Sequence, residues 1–147
     1  MRTIITYGTF DLLHVGHVHL LRRAYSRGDR LIVGLSTDEF NKDKKNKTTV
    51  VPYADRRMML LHLRCVDMVI PETRWEQKPS DIQRYGIAEF VMGHDWQGHF
   101  DHLESYCTVT YLQRTENVST SLIKGHVRSG AQGQVAARHE SSEITTI

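Results

Sequence analysis

Residues 3–35 hold a strand, a glycine-bearing turn, a helix and a second strand, and this succession limits the fold more than any other feature of the chain. Thr3-Ile4-Ile5-Thr6-Tyr7 has the β-branched and aromatic content of a short strand. Val18, Leu20, Leu21, Ala24 and Tyr25 recur at helical spacing within a helix of roughly Gly16 to Arg27, and Gly28 stops the run. Leu31-Ile32-Val33-Gly34-Leu35 is a continuous apolar run, the mark of a strand buried on both faces. A βαβ unit of this length joins parallel strands through a right-handed crossover. Open parallel sheets bind ligands beyond the carboxyl ends of their strands, which is where the turn from Tyr7 to His17 falls.

That turn reads Tyr7-Gly8-Thr9-Phe10-Asp11-Leu12-Leu13-His14-Val15-Gly16-His17. A strand running through a tight turn into a helix leaves backbone N–H groups and the positive end of the helix dipole facing a ligand. His14 and His17, three apart, share one face of the first helical turn. Gly16 between them removes the side chain that would keep a nucleotide from the backbone. On spacing alone such a pair is most often structural. The intervening glutamate of the metalloprotease pattern is missing and both cysteines lie far along the chain, so zinc is not expected. Neither the dinucleotide GxGxxG pattern nor the P-loop occurs. The stretch reads as a site for a nucleoside triphosphate.

The remaining elements extend the sheet. Ser36 to Asn41 begins a short helix or turn, with Ser36 or Thr37 as its cap. It leads into Lys42-Asp43-Lys44-Lys45-Asn46-Lys47, four lysines in six residues. As a charge run this is a solvated loop; placed after the second strand, it is also where cations can close over phosphates. Pro52 opens the next helix, in which Met58 and Met59 read as core. Val66 to Pro71 is a third strand, Glu72 to Lys78 a loop containing Trp75, and Ser80 caps a helix that ends at Gly86. Glu89 to Gly93 is a fourth strand and delivers His94-Asp95-Trp96 to the ligand edge. A helix over Asp101 to Tyr106 precedes a fifth strand, Thr108 to Leu112. Arg114 to Ser121 is a hydroxyl-rich turn before a final helix, Leu122 to Arg128, and is a second anion-ready helix start. The expected fold is α/β: a Rossmann-like open parallel five-stranded sheet with helices on both faces. Residues 1–129 are expected to form one domain that carries this site, and 130–147 a weakly ordered polar tail.

Composition narrows the function. The 147 residues are 39% hydrophobic and 24% charged, an ordinary globular balance, and the net charge of +2 argues for neither nucleic acid nor an anionic membrane as partner. Two cysteines, Cys65 and Cys107, suit free thiols in a reducing compartment. With no signal peptide in view and no long apolar run, a cytoplasmic protein without membrane insertion is expected.

The motifs also carry a resemblance. Tyr7-Gly8-Thr9-Phe10-Asp11 with His14-Val15-Gly16-His17 resembles the HxGH motif of the cytidylyltransferase-type nucleotidyltransferases. Arg114-Thr115-Glu116-Asn117-Val118-Ser119-Thr120-Ser121 resembles that family's second signature, RTEGISTT. Ser36 to Asn41, Arg64-Cys65-Val66-Asp67, Trp75-Glu76-Gln77-Lys78 and Val91 to Trp96 resemble the branch that acts on glycerol 3-phosphate. The resemblance runs from about Thr3 to Arg128. It implies transfer of CMP from CTP to glycerol 3-phosphate by direct in-line attack, giving CDP-glycerol and pyrophosphate. Catalytic residues would be His14, His17, Lys45, Lys47 and Arg114. The nucleotide would be held by Thr9, Phe10, His14, Gly16, His17, Lys47, Arg114, Thr115, Ser119, Thr120 and Ser121. The acceptor side would comprise Asp11, Lys44, Lys45, Asp67, Trp75, Lys78, Asp95 and Trp96. No protein-held metal is implied; Mg²⁺ would accompany CTP on its phosphates. A homodimer with its interface near Arg64 to Asp67 is also implied.

The chain departs from the pattern in places. Its lysine loop is one residue longer, so Lys44 or Lys45 can pair with Lys47. Asn117, Val118 and Ser121 replace glycine, isoleucine and threonine. The acceptor stays open: a sister transferase using phosphocholine, phosphoethanolamine, a sugar phosphate or ATP is the alternative. Trp75 and Trp96 beside Asp67 and Asp95 would be fragments of a cage for a quaternary ammonium. A non-catalytic nucleotide-binding module is the reading from another class.

Overall fold

The computed structural model describes residues 1–113 and 120–130. Five parallel strands, β1 (Thr3–Gly8), β2 (Arg30–Ser36), β3 (Met68–Glu72), β4 (Ile87–Gly93) and β5 (Thr108–Leu112), lie in the order β3-β2-β1-β4-β5. The chain winds outward from β1 to β3, then crosses back to place β4 on the other side of β1. The order therefore reverses between β1 and β4, and the crevice beyond their carboxyl ends is the ligand position of such a sheet.

Alternation along the strands builds two cores. Ile4, Leu31, Val33 and Leu35 face one side with Leu21 and Ala24 of α1 (Val15–Tyr25) and Leu60 of α3 (Tyr53–Leu61). Ile5, Tyr7, Ile32 and Phe90 face the other with Ile82 of α4 (Lys78–Tyr85), Phe100 and Leu103. Helices thus cover both faces, as expected. At β2, Gly34 is required by close approach, because a Cβ there would clash with the Tyr7 ring. Gly86 closes α4 in the left-handed region at φ 61°.

Several local expectations change. The lysine run is only partly a loop, since α2 (Asp38–Lys44) extends through it, capped by the Thr37 hydroxyl accepting from the Phe40 amide. Trp75–Gln77 is a 3-10 turn that runs directly into α4, so Lys78 opens the helix and Ser80 lies inside it rather than capping it. Asp101–Ser105 is also a 3-10 helix rather than an α-helix. Met58 and Met59 are not core: they are 59% and 44% exposed. The buried stripe of α3 consists instead of Arg56 and Leu60, four apart, which turns the methionines outward. The final helix, α5, spans Thr120–Arg128. Cys65 and Cys107 are free thiols. The tail expected over 130–147 lies, apart from Gly130, outside the described residues.

Candidate active site

The turn after β1 is held in an unusual conformation. Phe10 and Leu12 both have φ of 50°, a region that costs L-residues about 1 kcal/mol or more each. Asp11 between them anchors the turn. Its carboxylate is buried and accepts from the amides of Val50 (2.8 Å) and Val51 (2.9 Å), with the Lys124 ammonium at 3.4 Å. Burial alone would raise this carboxyl's pKa; the two amides and Lys124 together bring it below the usual value. Asp11 therefore lines the cavity while spending its oxygens on joining three segments, the third of them α5. The Thr120 hydroxyl donates to the Asp11 carbonyl at 2.7 Å and reinforces that joint.

The two histidines form the start of α1. The Gly16 amide donates to His14 Nδ1 at 3.1 Å, and the His14 amide donates to His17 Nδ1 at 3.3 Å. With both Nδ1 atoms accepting, the neutral rings carry their protons on Nε2. The rings stack with centroids 3.8 Å apart. Burial lowers the pKa of His14, and burial together with the adjacent His14 ring, against which a second proton would be repelled, lowers that of His17 to about 3. The pair is thus a set of two neutral N–H donors at a helix N-terminus.

A second polar cluster sits at the ends of β2 and β3. Glu72, fully buried, accepts from the Ser36 hydroxyl (2.6 Å), Lys45 Nζ (3.3 Å) and Lys78 Nζ (2.8 Å). Lys45 also donates to Ser36 at 2.8 Å, and burial, opposed by Glu72, holds its pKa below the ordinary lysine value. Lys78 is 2% exposed and its Nζ faces the rings of Tyr7, Trp75 and Phe100 at 4.6, 5.0 and 5.4 Å. Lys44 is exposed on α2 and lines neither cavity, whereas Lys45 and Lys47 both line one of them.

Arg56 ties these parts together. Its guanidinium donates to the carbonyls of Val51, Thr9 and Ser36, each at 2.8 Å, and to the Asp38 carboxylate at 2.6 Å. Thr9 is held further by its hydroxyl's bond to Asn41 at 2.8 Å.

Two joined cavities result. One, of about 430 Å³, is lined among others by His17, Lys45, Lys47, Trp75, Lys78 and Ser121. The other, of about 270 Å³, reaches His14, Gly16, Asp95 and Gln113. Tyr7 to Phe10, His17, Met92, Trp96 and Thr120 belong to both. Polar groups converging on a partly apolar cleft at the switch point suit a small charged ligand.

Most sequence-predicted residues meet here: Thr9, Phe10, Asp11, His14, Gly16, His17, Lys45, Lys47, Trp75, Lys78, Asp95, Trp96, Thr120 and Ser121. Asp67 does not. Its carboxylate accepts the Leu31 amide at 2.8 Å, at the amino ends of β2 and β3 and so on the opposite edge of the sheet. Arg114, Thr115 and Ser119 lie outside the described residues. Sequence reasoning missed Ser36, Glu72 and Arg56. The first two end strands on the ligand edge, a position that singles them out once the strands are drawn; Arg56 carries no such signal, since arginines on helices are usually solvated.

An αβ sheet with phosphate-ready donors at its switch point defines a nucleotide-binding class, and residues 5–126 match the family model described as cytidylyltransferase-like. The chain belongs to the cytidylyltransferase-like family. Within it, three relatives at 53–56% identity carry one name. The glycerol-3-phosphate cytidylyltransferase of Staphylococcus aureus is 56% identical over 124 residues, 84% of this chain and 93% of that one. The glycerol-3-phosphate cytidylyltransferase of Bacillus subtilis is 53% identical over 127 residues, 86% of this chain and 98% of that one. In fold, the lipopolysaccharide core biosynthesis protein from Thermoplasma volcanium superposes with a TM-score of 0.66 at 20% identity, over 78% of this chain and 98% of that one.

Proposed function

We propose that this chain transfers CMP from CTP to glycerol 3-phosphate, releasing pyrophosphate and CDP-glycerol. The observation that carries this is the division of the cleft. Neutral histidine donors at a helix N-terminus face one side, and a buried Lys45–Glu72–Lys78 cluster faces the other. Relatives above half identity named for this activity support the same assignment.

An oxygen of the acceptor phosphate attacks the α-phosphorus of CTP. The new P–O bond forms as the bond to the bridging β-oxygen breaks, and pyrophosphate leaves with the electron pair. A phosphate monoester with its second pKa near about 6 is already dianionic at neutral pH, so no side chain has to remove a proton. What the protein supplies is alignment and neutralisation of charge. His14 and His17 donate Nε2–H to the phosphates, and the Gly16 backbone lets them approach. Thr9, Phe10, Thr120 and Ser121 line the nucleotide side; Arg114, Thr115 and Ser119 are assigned there through their signature. Lys47, on the rim, meets the triphosphate. Lys45 meets the acceptor phosphate, with Trp75, Lys78, Asp95 and Trp96 around the rest of the acceptor.

Mg²⁺ is assigned to CTP. Among the described residues no group of three or more His, Cys, Asp or Glu side chains is arranged to hold a metal, and Asp11 and Glu72 are already paired with lysines. Phosphate oxygens would hold the ion and reduce the triphosphate's charge; none of the steps above is routed through it. We also infer a homodimer, supported by the exposed Met58, Met59 and Leu61 on α3, and cytoplasmic residence. No described helix is long and apolar enough to cross a membrane.

The test is pyrophosphate release with Mg²⁺, pairing CTP or ATP with glycerol 3-phosphate, phosphocholine, phosphoethanolamine or a sugar phosphate. Turnover with CTP and glycerol 3-phosphate, with CDP-glycerol identified by mass, is expected. Turnover confined to another pair would refute the substrate assignment, and sedimentation of the same protein as a monomer would refute the dimer.

A further inference from the structure

The acceptor side contains the parts of a quaternary-ammonium site, already filled. Three aromatic rings, Tyr7, Trp75 and Phe100, surround one point, and a buried carboxylate, Glu72, lies beside it. Aromatic cages of this kind recognise choline-like cations, within about 6 Å of each ring centroid. Here the cation is the protein's own. Lys78 Nζ stands 4.6, 5.0 and 5.4 Å from the three centroids and 2.8 Å from Glu72 Oε2.

We propose that Lys78 determines acceptor specificity by exclusion, occupying the cage that would otherwise admit a cationic phosphomonoester such as phosphocholine. The inference rests on reading this side of the cleft as the acceptor side. A buried ion pair is weak evidence for stability, because desolvation opposes the Coulomb gain and apolar replacements are often as good. Exclusion gives the pair a different purpose. A tethered ammonium is present at an effective concentration no free ligand matches. An incoming cation would also meet Lys45, whose Nζ lies 5.4 Å from the outer ring, Trp75. A polyol head meets the reverse situation, since its hydroxyls can accept from lysine N–H groups. Specificity built from repulsion of the wrong ligand is a general device.

Lys78→Ala should empty the cage while leaving Glu72 two partners, Ser36 at 2.6 Å and Lys45 at 3.3 Å. Lys78→Met removes the charge but keeps the space filled. Lys78→Ser, which retains a polar group near Glu72, carries the same expectation as the alanine variant should that one not refold. Choline binding is read by calorimetry and by quenching of tryptophan fluorescence; turnover is read as kcat/KM for phosphocholine relative to glycerol 3-phosphate. Wild type should bind no choline. The alanine variant should bind it, and its relative kcat/KM should rise by about 100-fold, the scale on which a site with an unfilled or obstructed pocket discriminates. The methionine variant should lose glycerol 3-phosphate turnover without gaining either property.

Three results would overturn the proposal. They are a folded alanine or serine variant that neither binds choline nor changes its preference, a methionine variant that gains as much, and a wild type that uses phosphocholine within tenfold of glycerol 3-phosphate. Wild-type turnover of glycerol 3-phosphate tests the underlying assignment separately, and choline binding requires no turnover at all.

Discussion

Replacing Arg56 is expected to do more damage than its place on a surface helix suggests. The residue is 1% exposed, and its guanidinium donates to three backbone carbonyls and to Asp38. In Arg56→Ala the Val51, Thr9 and Ser36 carbonyls lose a charged donor each. Unsatisfied buried acceptors cost about 1–3 kcal/mol apiece, and water entering the vacated space recovers part of that. Asp38, with 42% of its side chain exposed, can return to solvent and adds little. The sum is about 4 kcal/mol, a large share of the roughly 5–15 kcal/mol that holds a domain folded. Urea unfolding should show the midpoint falling at unchanged slope, and the melting temperature should drop by roughly 8–16 °C. Arg56→Lys should lose most of the same, because one ammonium cannot reproduce a planar fork with four acceptors. Activity should fall in both, since Thr9, Ser36 and the segment before α3 lose their common tie. A loss under about 1 kcal/mol in Arg56→Ala would refute the reasoning, because carbonyls that tolerate removal of the donor were not dependent on it.

His14→Ala and His17→Ala should each lower kcat by about 100-fold or more, as removal of a preorganised donor does, with circular dichroism unchanged; near-wild-type turnover would remove these residues from the mechanism. Lys45→Ala should reduce kcat/KM for the acceptor by about 100-fold, while Lys44→Ala should stay within about twofold, a contrast that direct kinetics would expose. Stability should fall as the pH drops below 6.5. The unfolded chain protonates His17 near 6.5, whereas the folded chain resists until about 3, so stability is full above 6.5 and declines as the pH falls through that window. By pH 4.5 the loss is at most about 2.7 kcal/mol, and His17→Asn should flatten the dependence of the urea midpoint. Asp11 and Glu89, both held below their ordinary values, contribute only at lower pH.

The sheet was legible because its strands announce themselves. Leu31 to Leu35 has no polar position, and the helical spacing from Val18 to Tyr25 is unbroken, so both elements follow from periodicity. The His14–His17 turn was legible for the same reason, being the joint between two clear elements. Asp67 was misplaced because an acidic residue next to a strand does not reveal which end of the strand it occupies. In the fold it precedes β3 and caps the amide of Leu31. Met58 and Met59 were assigned to the core by hydrophobicity, yet the buried stripe of α3 is set by Arg56, whose hydrogen bonds make its burial tolerable. A burial decided by four acceptors on other segments cannot be read from the helix alone. Glu72 hides for a related reason, since its burial depends on Ser36, Lys45 and Lys78, which lie on other elements.

The same pairing explains how the cleft stores positive charge. Lys45, Lys78 and Lys124 would repel one another if left alone in a partly buried cavity; Glu72 and Asp11 hold them there by contact at 2.8–3.4 Å. The carboxylates thereby fix the ammonium groups before any ligand arrives, which is the preorganisation that makes electrostatic stabilisation effective. The arrangement also separates two tasks along one wall. At Asp11 the carboxylate joins the histidine turn to α5 through Lys124 and to the segment before α3 through the Val50 and Val51 amides. At Glu72 it holds Lys45 and Lys78, the latter inside a ring of aromatics, and on the proposed assignment this pair faces the acceptor. A single charge reversal, Glu72→Lys, would therefore be expected to disturb folding and acceptor choice together. Glu72→Gln keeps the shape but weakens its hold on both lysines; it should raise the acceptor KM more than the CTP KM, and an equal rise in both would mean the two halves of the cleft are not separate.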